Sequence, residues 1–464
     1  MTFNSLQFLV FFMVVTLWFF SLSNQKGRIL LLLIASCYFY MAFIPEYILI
    51  LGGTIVIDYF AGMLIEKSEG RSRKAWLIIS LIANIGVLAV FKYYNFFIDN
   101  INSSFLFFGK ATSIPLLKMA LPIGLSFHTF QAMSYTIEVY RKNHPAERNF
   151  MVYALYVMFY PQLVAGPIER PQHILPQLKE FRPYDWNNVK EGLARMLWGF
   201  FKKVVIADRL AMVVDRTFGH TQESSSLALA TGAIFYSFQI YCDFSGYSDI
   251  AIGAAKVMNV GLMENFKEPY SSSSLHEFWS RWHISLSSWF RDYVYIPLGG
   301  NRKGPWRKRV NILIVFLLSG LWHGANWTFI AWGLLHGLLV ILLTRPAFSK
   351  AANSNKTGAL IKVVINFILV TLLWVFFRSE NIAAAWHYIK RIGSLQTGSN
   401  YVGVNKIELM FSVLLIAIML YREKYLRSHA IASNTRFYFY FGAMVVICYF
   451  FGVFTENQFI YFQF

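Results

Sequence analysis

The residues in this chain whose type and setting can do chemistry are histidines in apolar surroundings. The chain is 56% hydrophobic and 14% charged. His323 stands in SGLWHGAN, between two glycines and near the middle of a long apolar run at 310–346. A second histidine, His283, lies in EFWSRWHISLSSWFRDYVYIPLGGNR, residues 277–302. Imidazole titrates near neutrality and is the usual general base, and a positioned base contributes roughly 10²- to 10⁴-fold. A base with no nucleophile of its own suits direct transfer: it activates an incoming hydroxyl while an activated donor supplies the group. The common hydrolase signals are missing, with no G-x-S-x-G elbow, H-E-x-x-H, P-loop or cysteine-histidine ligand set. Cys37, Cys242 and Cys448 are far apart in apolar segments, so neither a disulfide framework nor a metal site is expected.

The elements that must position these residues belong in a bilayer. The 464 residues have a mean hydropathy of +0.46, with Phe 45 and Tyr 26, more apolar surface than a soluble core of that length buries. Long, largely uncharged runs recur at 5–23, 29–45, 47–65, 75–97, 116–139, 149–165, 226–258, 358–377, 407–421 and 436–454, with ambiguous stretches at 191–214 and 309–344. About 20 such residues span a hydrocarbon core, which gives about ten to twelve crossings. The first run lacks a preceding basic residue and ends in LWFFSLSNQ, a poor match to a signal cleavage site, and reads as a retained span.

The net charge of +18 sits in loops, so the positive-inside rule accounts for it better than nucleic-acid binding. Lys26, Arg28, Lys67, Arg71, Arg73, Lys74, Arg141, Lys142 and Arg148 mark odd-numbered loops as cytoplasmic, which places the N-terminus outside. Arg422, Lys424 and Arg427 mark another cytoplasmic loop and leave the C-terminal ENQFIYFQF outside. No repeat or polar linker divides the chain, so 1–464 reads as one multi-pass membrane domain.

SLHE at 274–277 is a capping-box pattern and predicts a helix running to Pro297. On it Leu275, Phe278, Trp279, Trp282, Leu286, Trp289, Phe290 and Tyr293 share one face. Glu277, Ser280, Arg281, Ser285, Ser288, Arg291 and Asp292 share the other. Such a helix lies at the membrane interface or dips in as a re-entrant element; its charges either line a cavity or are simply solvated. His283 falls at the edge of the apolar stripe, where periodicity alone reads it as packing.

His323 lies about 21 Å along a straight helix from Arg309, deep in the bilayer, where an ionisable residue is a functional candidate. The glycine break, with Trp322 and Asn326 beside it, predicts a chain that enters, breaks and returns between the basic loop at 302–309 and Arg345 and Lys350. A structural histidine bonded to a neighbouring helix is the alternative, and it is the favoured reading for His128 and His336.

YCDFSGYSDIAIG, with Gln239 just before it, puts Asp243, Ser245, Tyr247, Ser248 and Asp249 in an apparent span. Two carboxylates there must face protein, a cation or water, with Arg281 and Arg291 as candidate counter-ions. The proline-rich LVAGPIERPQHILPQL cannot be a regular helix in lipid, and its Glu169 and Arg170 are expected to pair.

Together, EFWSRWHISLSSWFRDYVYIPLGGNR, LLSGLWHGANWTFIAWGLLHG, YCDFSGYSDIAIG, LPIGLSFHTFQAMSYTIEVYR and LVAGPIERP resemble the membrane-bound O-acyltransferase family. The likeness is to the bacterial branch of alginate O-acetylation proteins and peptidoglycan O-acetyltransferases. It runs in order over about 40–345, RWHISLS and WHG being specific to the family, and the tail beyond about 350 adds little.

The resemblance implies an all-α integral membrane fold, with re-entrant and interfacial helices around a central tunnel. His323 would be the catalytic base and His283 would orient substrate or assist proton transfer. Trp322, Asn326, Arg281, Arg291, Asp292, Gln239, Asp243, Ser245 and Tyr247 would support or line the tunnel. It also implies a cytoplasmic thioester donor such as acetyl-CoA, no tightly bound cofactor, and an extracytoplasmic hydroxyl acceptor on a polysaccharide. The acetyl group would be passed through a separate extracytoplasmic acyltransferase or esterase-like partner, from a bacterial inner membrane.

Two other classes stay open. A polytopic transporter would also use broken helices and buried carboxylates, though no inverted repeat is visible. A metal-dependent intramembrane hydrolase finds no support in the ligand spacing.

Overall fold

The computed structural model describes residues 1–110, 113–119, 121–164, 166–343, 356–426, 433–454 and 459. Arg345, Lys350, Arg427, Ala165 of LVAGPIERP and all of ENQFIYFQF but Phe459 lie outside the described residues. Among those described the chain is helical, its one extended pairing a bridge between Ser224 and Ser399. Three helical stretches, Tyr47–Lys67, Gly70–Phe107 and Thr357–Arg378, are long and apolar enough to cross a bilayer, and Leu6–Ser21 and Trp327–Leu343 are shorter apolar helices. Leu17, Trp18, Ile82 and Phe439 are among many large apolar side chains exposed on the outside, the surface a hydrocarbon solvent requires rather than water.

The chain forms two compact units, Met1–Leu193 with Ala251–Met263, and Ala194–Ile250 with Glu264–Phe464. The first holds α1 (Leu6–Ser21), α2 (Gln25–Met41), α3 (Tyr47–Lys67), α4 (Gly70–Leu88), α5 (Tyr94–Phe107), α6 (Leu125–Tyr140), α7 (Phe150–Met158), α8 (Tyr160–Leu163) and α9 (Pro171–Lys179). A π turn, Ala89–Tyr93, joins α4 to α5.

Inside this unit α3, α4 and α6 meet around a buried carboxylate. The Ser80 hydroxyl donates to Asp58 Oδ1 at 2.6 Å and lies 3.0 Å from the Thr136 hydroxyl, and Asn84 Nδ2 donates to both Asp58 oxygens.

Two expectations are corrected here. The predicted span 116–139 does not begin as helix: residues 113–119 are non-helical and α6 starts only at Leu125. Asn102 clasps the backbone N–H and C=O of Ile114, and Asn95 clasps those of Leu117. These two asparagines, about two turns apart on α5, satisfy backbone groups that a helix would have paired internally. Glu169 does not pair with Arg170: its Oε1 accepts from the Met263 N–H and its Oε2 meets His173 Nδ1, both at 2.6 Å.

Next come α10 (Trp186–Phe200), a π turn at Phe201–Ala207, α11 (Asp208–Gly219) and α12 (Ser226–Val257); the unit boundaries fall within α10 and α12. The second unit continues with α13 (Leu275–Arg281), α14 (Ile284–Phe290), a π turn at Arg291–Tyr295, α15 (Gly304–His323), α16 (Trp327–Leu343), α17 (Lys356–Arg378), α18 (Ile382–Gly393), α19 (Lys406–Tyr425) and α20 (Asn434–Phe451).

The break expected in SGLWHGAN is present. α15 ends at His323, and Asn326 caps α16 by accepting from the Thr328 N–H at 3.0 Å. α15 and α16 then pack as an antiparallel hairpin through facing glycines. A Cβ on Gly320 would lie 2.2 Å from the Phe329 carbonyl oxygen, and one on Gly333 2.3 Å from that of Phe316, so only glycine permits this approach.

The single helix expected from Ser274 to Pro297 is in fact two, broken at Trp282–His283. Its start is as predicted: Ser274 accepts from the Glu277 N–H, while Glu277 reaches back one residue further, to the Ser273 N–H.

Candidate active site

His283 and His323 are brought together within the second unit by two interruptions of helical structure. His323 is the last residue of α15, immediately before the Gly324 break. His283 is the left-handed residue, φ 43° and ψ 56°, that separates α13 from α14. Their ring centroids lie 6.5 Å apart, and both side chains are buried, His283 completely.

An aromatic cage holds the two rings. Phe244 of α12 meets His283 edge-on at 4.6 Å. Trp322, Trp332 and Phe377 meet His323 edge-on at 4.9, 5.3 and 5.2 Å. Edge-to-face packing of this kind fixes ring orientation as well as position. The apolar faces of α13 and α14 are buried as the periodicity predicts, through Leu275, Phe278, Trp282, Leu286, Trp289 and Phe290.

His336, read from sequence as packing, sits behind the cage. Its Nδ1 accepts from Trp279 Nε1 at 3.3 Å, and it stands edge-on to Trp332 at 4.9 Å. His128 belongs to the first unit.

The other candidates spread more widely. Trp322 lies in the cage, and its ring is 5.9 Å from that of His283. Asn326 is a helix cap whose Nδ2 donates to the Glu380 carbonyl at 2.9 Å. Arg281 pairs with Glu277 at 2.6 Å and Arg291 with Asp292 at 2.8 Å, so neither arginine is the counter-ion of the α12 carboxylates. Tyr247 stacks on Phe459 at 4.1 Å, and Gln239 is half-buried on α12.

The true counter-ions come from the wide turn between α10 and α11. In a π turn the extra residue per turn changes which side chains face inward, and here both Lys202 and Lys203 are buried. Lys203 Nζ lies 2.6 Å from Asp243 and 2.8 Å from Asp208. Lys202 Nζ lies 2.7 Å from Asp249 and donates to Ser245 at 2.8 Å. Arg195 reaches the other oxygen of Asp249 at 2.9 Å. The sequence offered one signal for this, two adjacent lysines inside an otherwise apolar run, FFKKVVIA.

Asn265 is the other residue that sequence reasoning missed. It is buried beside the His283 turn, accepting at its backbone oxygen from Ile284 N–H (2.9 Å) and at Oδ1 from the Ser285 hydroxyl (2.6 Å). That bond explains why Ser285, expected on a polar outer face, is buried.

The sequence pattern of the membrane-bound O-acyltransferase family matches residues 56–378, a stretch containing both histidines and the α12 carboxylates. A probable alginate O-acetylase of Pseudomonas aeruginosa is 40% identical over 437 residues, 92% of this chain and 82% of that protein. A peptidoglycan O-acetyltransferase of Helicobacter pylori is 37% identical over 388 residues, 77% of this chain and 72% of that protein. A teichoic acid D-alanyltransferase of Bacillus subtilis is 26% identical over 278 residues, 56% of this chain and 69% of that protein. With two buried imidazoles at facing helix breaks and a family match that spans them, the chain belongs to the membrane-bound O-acyltransferase family and is an acyltransferase.

Proposed function

We propose that this acyltransferase passes an acetyl group from a cytoplasmic thioester, acetyl-CoA, to a hydroxyl on the outer side of a bacterial inner membrane, its N-terminus lying outside. The immediate receiver is an extracytoplasmic partner acyltransferase, and the final acceptor is an envelope polysaccharide or exopolysaccharide. The similar proteins named for alginate and peptidoglycan O-acetylation support the acetyl group and the polysaccharide class.

The observation that carries the mechanism is the pairing of His283 and His323 in one buried aromatic cage. In this reading one ring nitrogen of His323 takes the proton of the acceptor hydroxyl as its oxygen attacks the thioester carbonyl. The C–O bond forms, the C–S bond breaks, and the proton passes to the leaving thiolate. His323 ends α15, so the carbonyl end of that helix lies beside the imidazolium formed in transit and favours it. His283 hydrogen-bonds the acceptor or the developing charge. Tryptophan and phenylalanine walls exclude water, which would otherwise compete for the acetyl group.

The test is acetyl release or transfer from radiolabelled acetyl-CoA by the purified protein, wild type against His323→Ala. Transfer that depends on His323 supports the reading. No turnover by the wild type, even with a candidate extracytoplasmic partner and polysaccharide present, would favour transport instead.

A further inference from the structure

The left-handed turn at His283 has no local reason to form. Left-handed backbone is adopted chiefly by glycine and only uncommonly by asparagine, aspartate or histidine, and position 283 is a histidine flanked by the bulky Trp282 and β-branched Ile284. Left to itself, the chain here would continue as one helix, which is what periodicity predicts. Such a helix would carry the imidazole away from its present direction. Something outside the turn must impose it.

The segment Asn265–Phe266–Lys267 lies across the turn like a splint. Lys267 N–H donates to the Arg281 carbonyl at 3.0 Å on one side of the break, and Ile284 N–H donates to the Asn265 carbonyl at 2.9 Å on the other. Phe266, between them, packs edge-on against Trp282 at 5.1 Å and Phe244 at 5.0 Å. The Asn265 side chain makes two further bonds, with Oδ1 accepting from Ser285 at 2.6 Å and Nδ2 donating to Ser248 at 3.1 Å. Ser248 and Phe244 are one turn apart on α12, and Phe244 is the ring packed on His283. The turn backbone and the imidazole are therefore referred to the same face of the same helix.

We propose that Asn265 is a positioning residue for acyl transfer: it fixes the direction of the His283 imidazole by tying the left-handed turn to α12. The proposal rests on the reading of His283 and His323 given above. It separates from a general structural role because α13 and α14 are also docked by Leu275, Phe278, Trp282, Leu286 and Trp289. Removing the Asn265 amide leaves those contacts and the two backbone bonds across the turn in place, and cuts only the side-chain ties from the turn to Ser285 and to Ser248 of α12.

The experiment measures acetyl transfer by the full chain for Asn265→Ala and Asn265→Asp, each in the wild-type and His283→Ala backgrounds, with amide hydrogen exchange over 282–290 measured without donor. Misplacing a reacting group by about 1 Å can cost on the order of 100-fold. Asn265→Ala should lower kcat by about 10- to 100-fold, leave KM for the thioester within about twofold, and speed exchange at the Ile284 amide. Asn265→Asp should recover much of the rate, since a carboxyl oxygen still accepts from Ser285 and the Ser248 hydroxyl can donate to the other.

In the His283→Ala background Asn265→Ala should add no further loss, because the group it positions is gone. Equal losses in both backgrounds, or a fully active Asn265→Ala, overturn the proposal. If Asn265→Ala does not fold, Ser285→Ala removes one bond of the clasp and must show the same kcat loss and the same dependence on His283. If the wild type does not transfer acetyl, the site reading fails on its own, and unchanged exchange at Ile284 in the Asn265 variants still refutes the clasp.

Discussion

His283 and His323 face each other across 6.5 Å, centroid to centroid, with their ring planes inclined at 52°. That separation is too wide for a ring-to-ring hydrogen bond. It suits one hydroxyl oxygen held between them by bonds of about 2.9 Å. If His323 is the base, His283 contributes direction and hydrogen bonding, so its loss should be partial. His283→Ala should lower kcat by about 10- to 100-fold and leave a measurable remnant. His283→Asn should retain more, because asparagine tolerates the left-handed backbone and keeps a hydrogen-bonding side chain. Initial rates of acetyl transfer rank the three proteins; an asparagine variant weaker than alanine would sink this division of roles.

The buried lysines carry the second prediction. Lys203 sits between Asp208 and Asp243, and all three side chains are buried. Removing one partner of a buried ion pair leaves charge without compensation, at a cost of about 3–5 kcal/mol. Lys203→Met should therefore sharply lower the thermal midpoint in detergent. The triple change Lys203→Met, Asp208→Asn, Asp243→Asn should recover much of that loss. A Lys203→Met protein as stable as wild type would mean that the carboxylates do not depend on it.

Much of this was legible from sequence, and the failures have identifiable causes. The break at SGLWHGAN is visible because glycine, a capping asparagine and excess length coincide there. The split at His283 is invisible because its cause is Asn265, 18 positions earlier in the chain and bonded across the turn rather than encoded in it. Arg281 and Arg291 looked like counter-ions because they are the nearest arginines in a motif. Each is satisfied locally, by Glu277 and Asp292, and the π turn that turns Lys202 and Lys203 inward leaves no periodic mark. The non-helical backbone at 116–119 falls inside the predicted span 116–139 because apolar content does not distinguish it from helix; the asparagines that support it lie on α5.

His173 gives a pH prediction outside the apolar spans. Its Nδ1 lies 2.6 Å from the buried Glu169 carboxylate, and that hydrogen bond, followed by charge attraction, outweighs partial burial and raises its pKa above the ordinary value of 6.5. A histidine whose pKa is raised on folding stabilises the folded state fully below about pH 6.5, its unfolded value, and loses that contribution as pH rises through the folded value. The thermal midpoint of wild type should exceed that of His173→Gln at pH 5.5, with the gap closing as pH rises through and above 6.5. The effect should be small, because the imidazole is half exposed and its charge is screened by solvent. A gap that widens with pH would show that the pair is not ionic.

The hairpin glycines give a steric prediction. Gly333→Ala places a methyl 2.3 Å from the Phe316 carbonyl oxygen, and overpacking of this kind costs about 1–3 kcal/mol. Because α15 and α16 flank the break beside His323, moving them apart should also reduce transfer. Gly358→Ala, with nothing within 4 Å of its Cβ position among the described residues, is the control and should neither lower stability nor change the rate, since alanine favours a helix over glycine. Thermal midpoints and transfer rates of the two variants test the claim, which fails if they behave alike.

Asp58 poses a different problem, because its carboxylate is fully buried in α3 and its hydrogen-bond partners among the described residues are neutral donors, Ser80 and Asn84. Asp58→Ala would remove the acceptor of the shorter Ser80 bond and of two Asn84 amide contacts, leaving Ser80 with the Thr136 hydroxyl and Asn84 with the Ser80 carbonyl; hydrogen-bonding capacity left unmet at a buried site costs about 1–3 kcal/mol. Asp58→Asn should be much milder. Its carbonyl oxygen can still accept from Ser80, and Asn84 can turn its amide so that Oδ1, which has no hydrogen-bond partner among the described residues, accepts from the new side-chain NH2. The expected order of thermal midpoints is therefore Asp58→Asn close to wild type, with Asp58→Ala well below both. Should Asp58→Asn fall as far as Asp58→Ala, geometry is not what the site requires, and the carboxyl group must be needed for its charge or for a proton that an amide cannot carry.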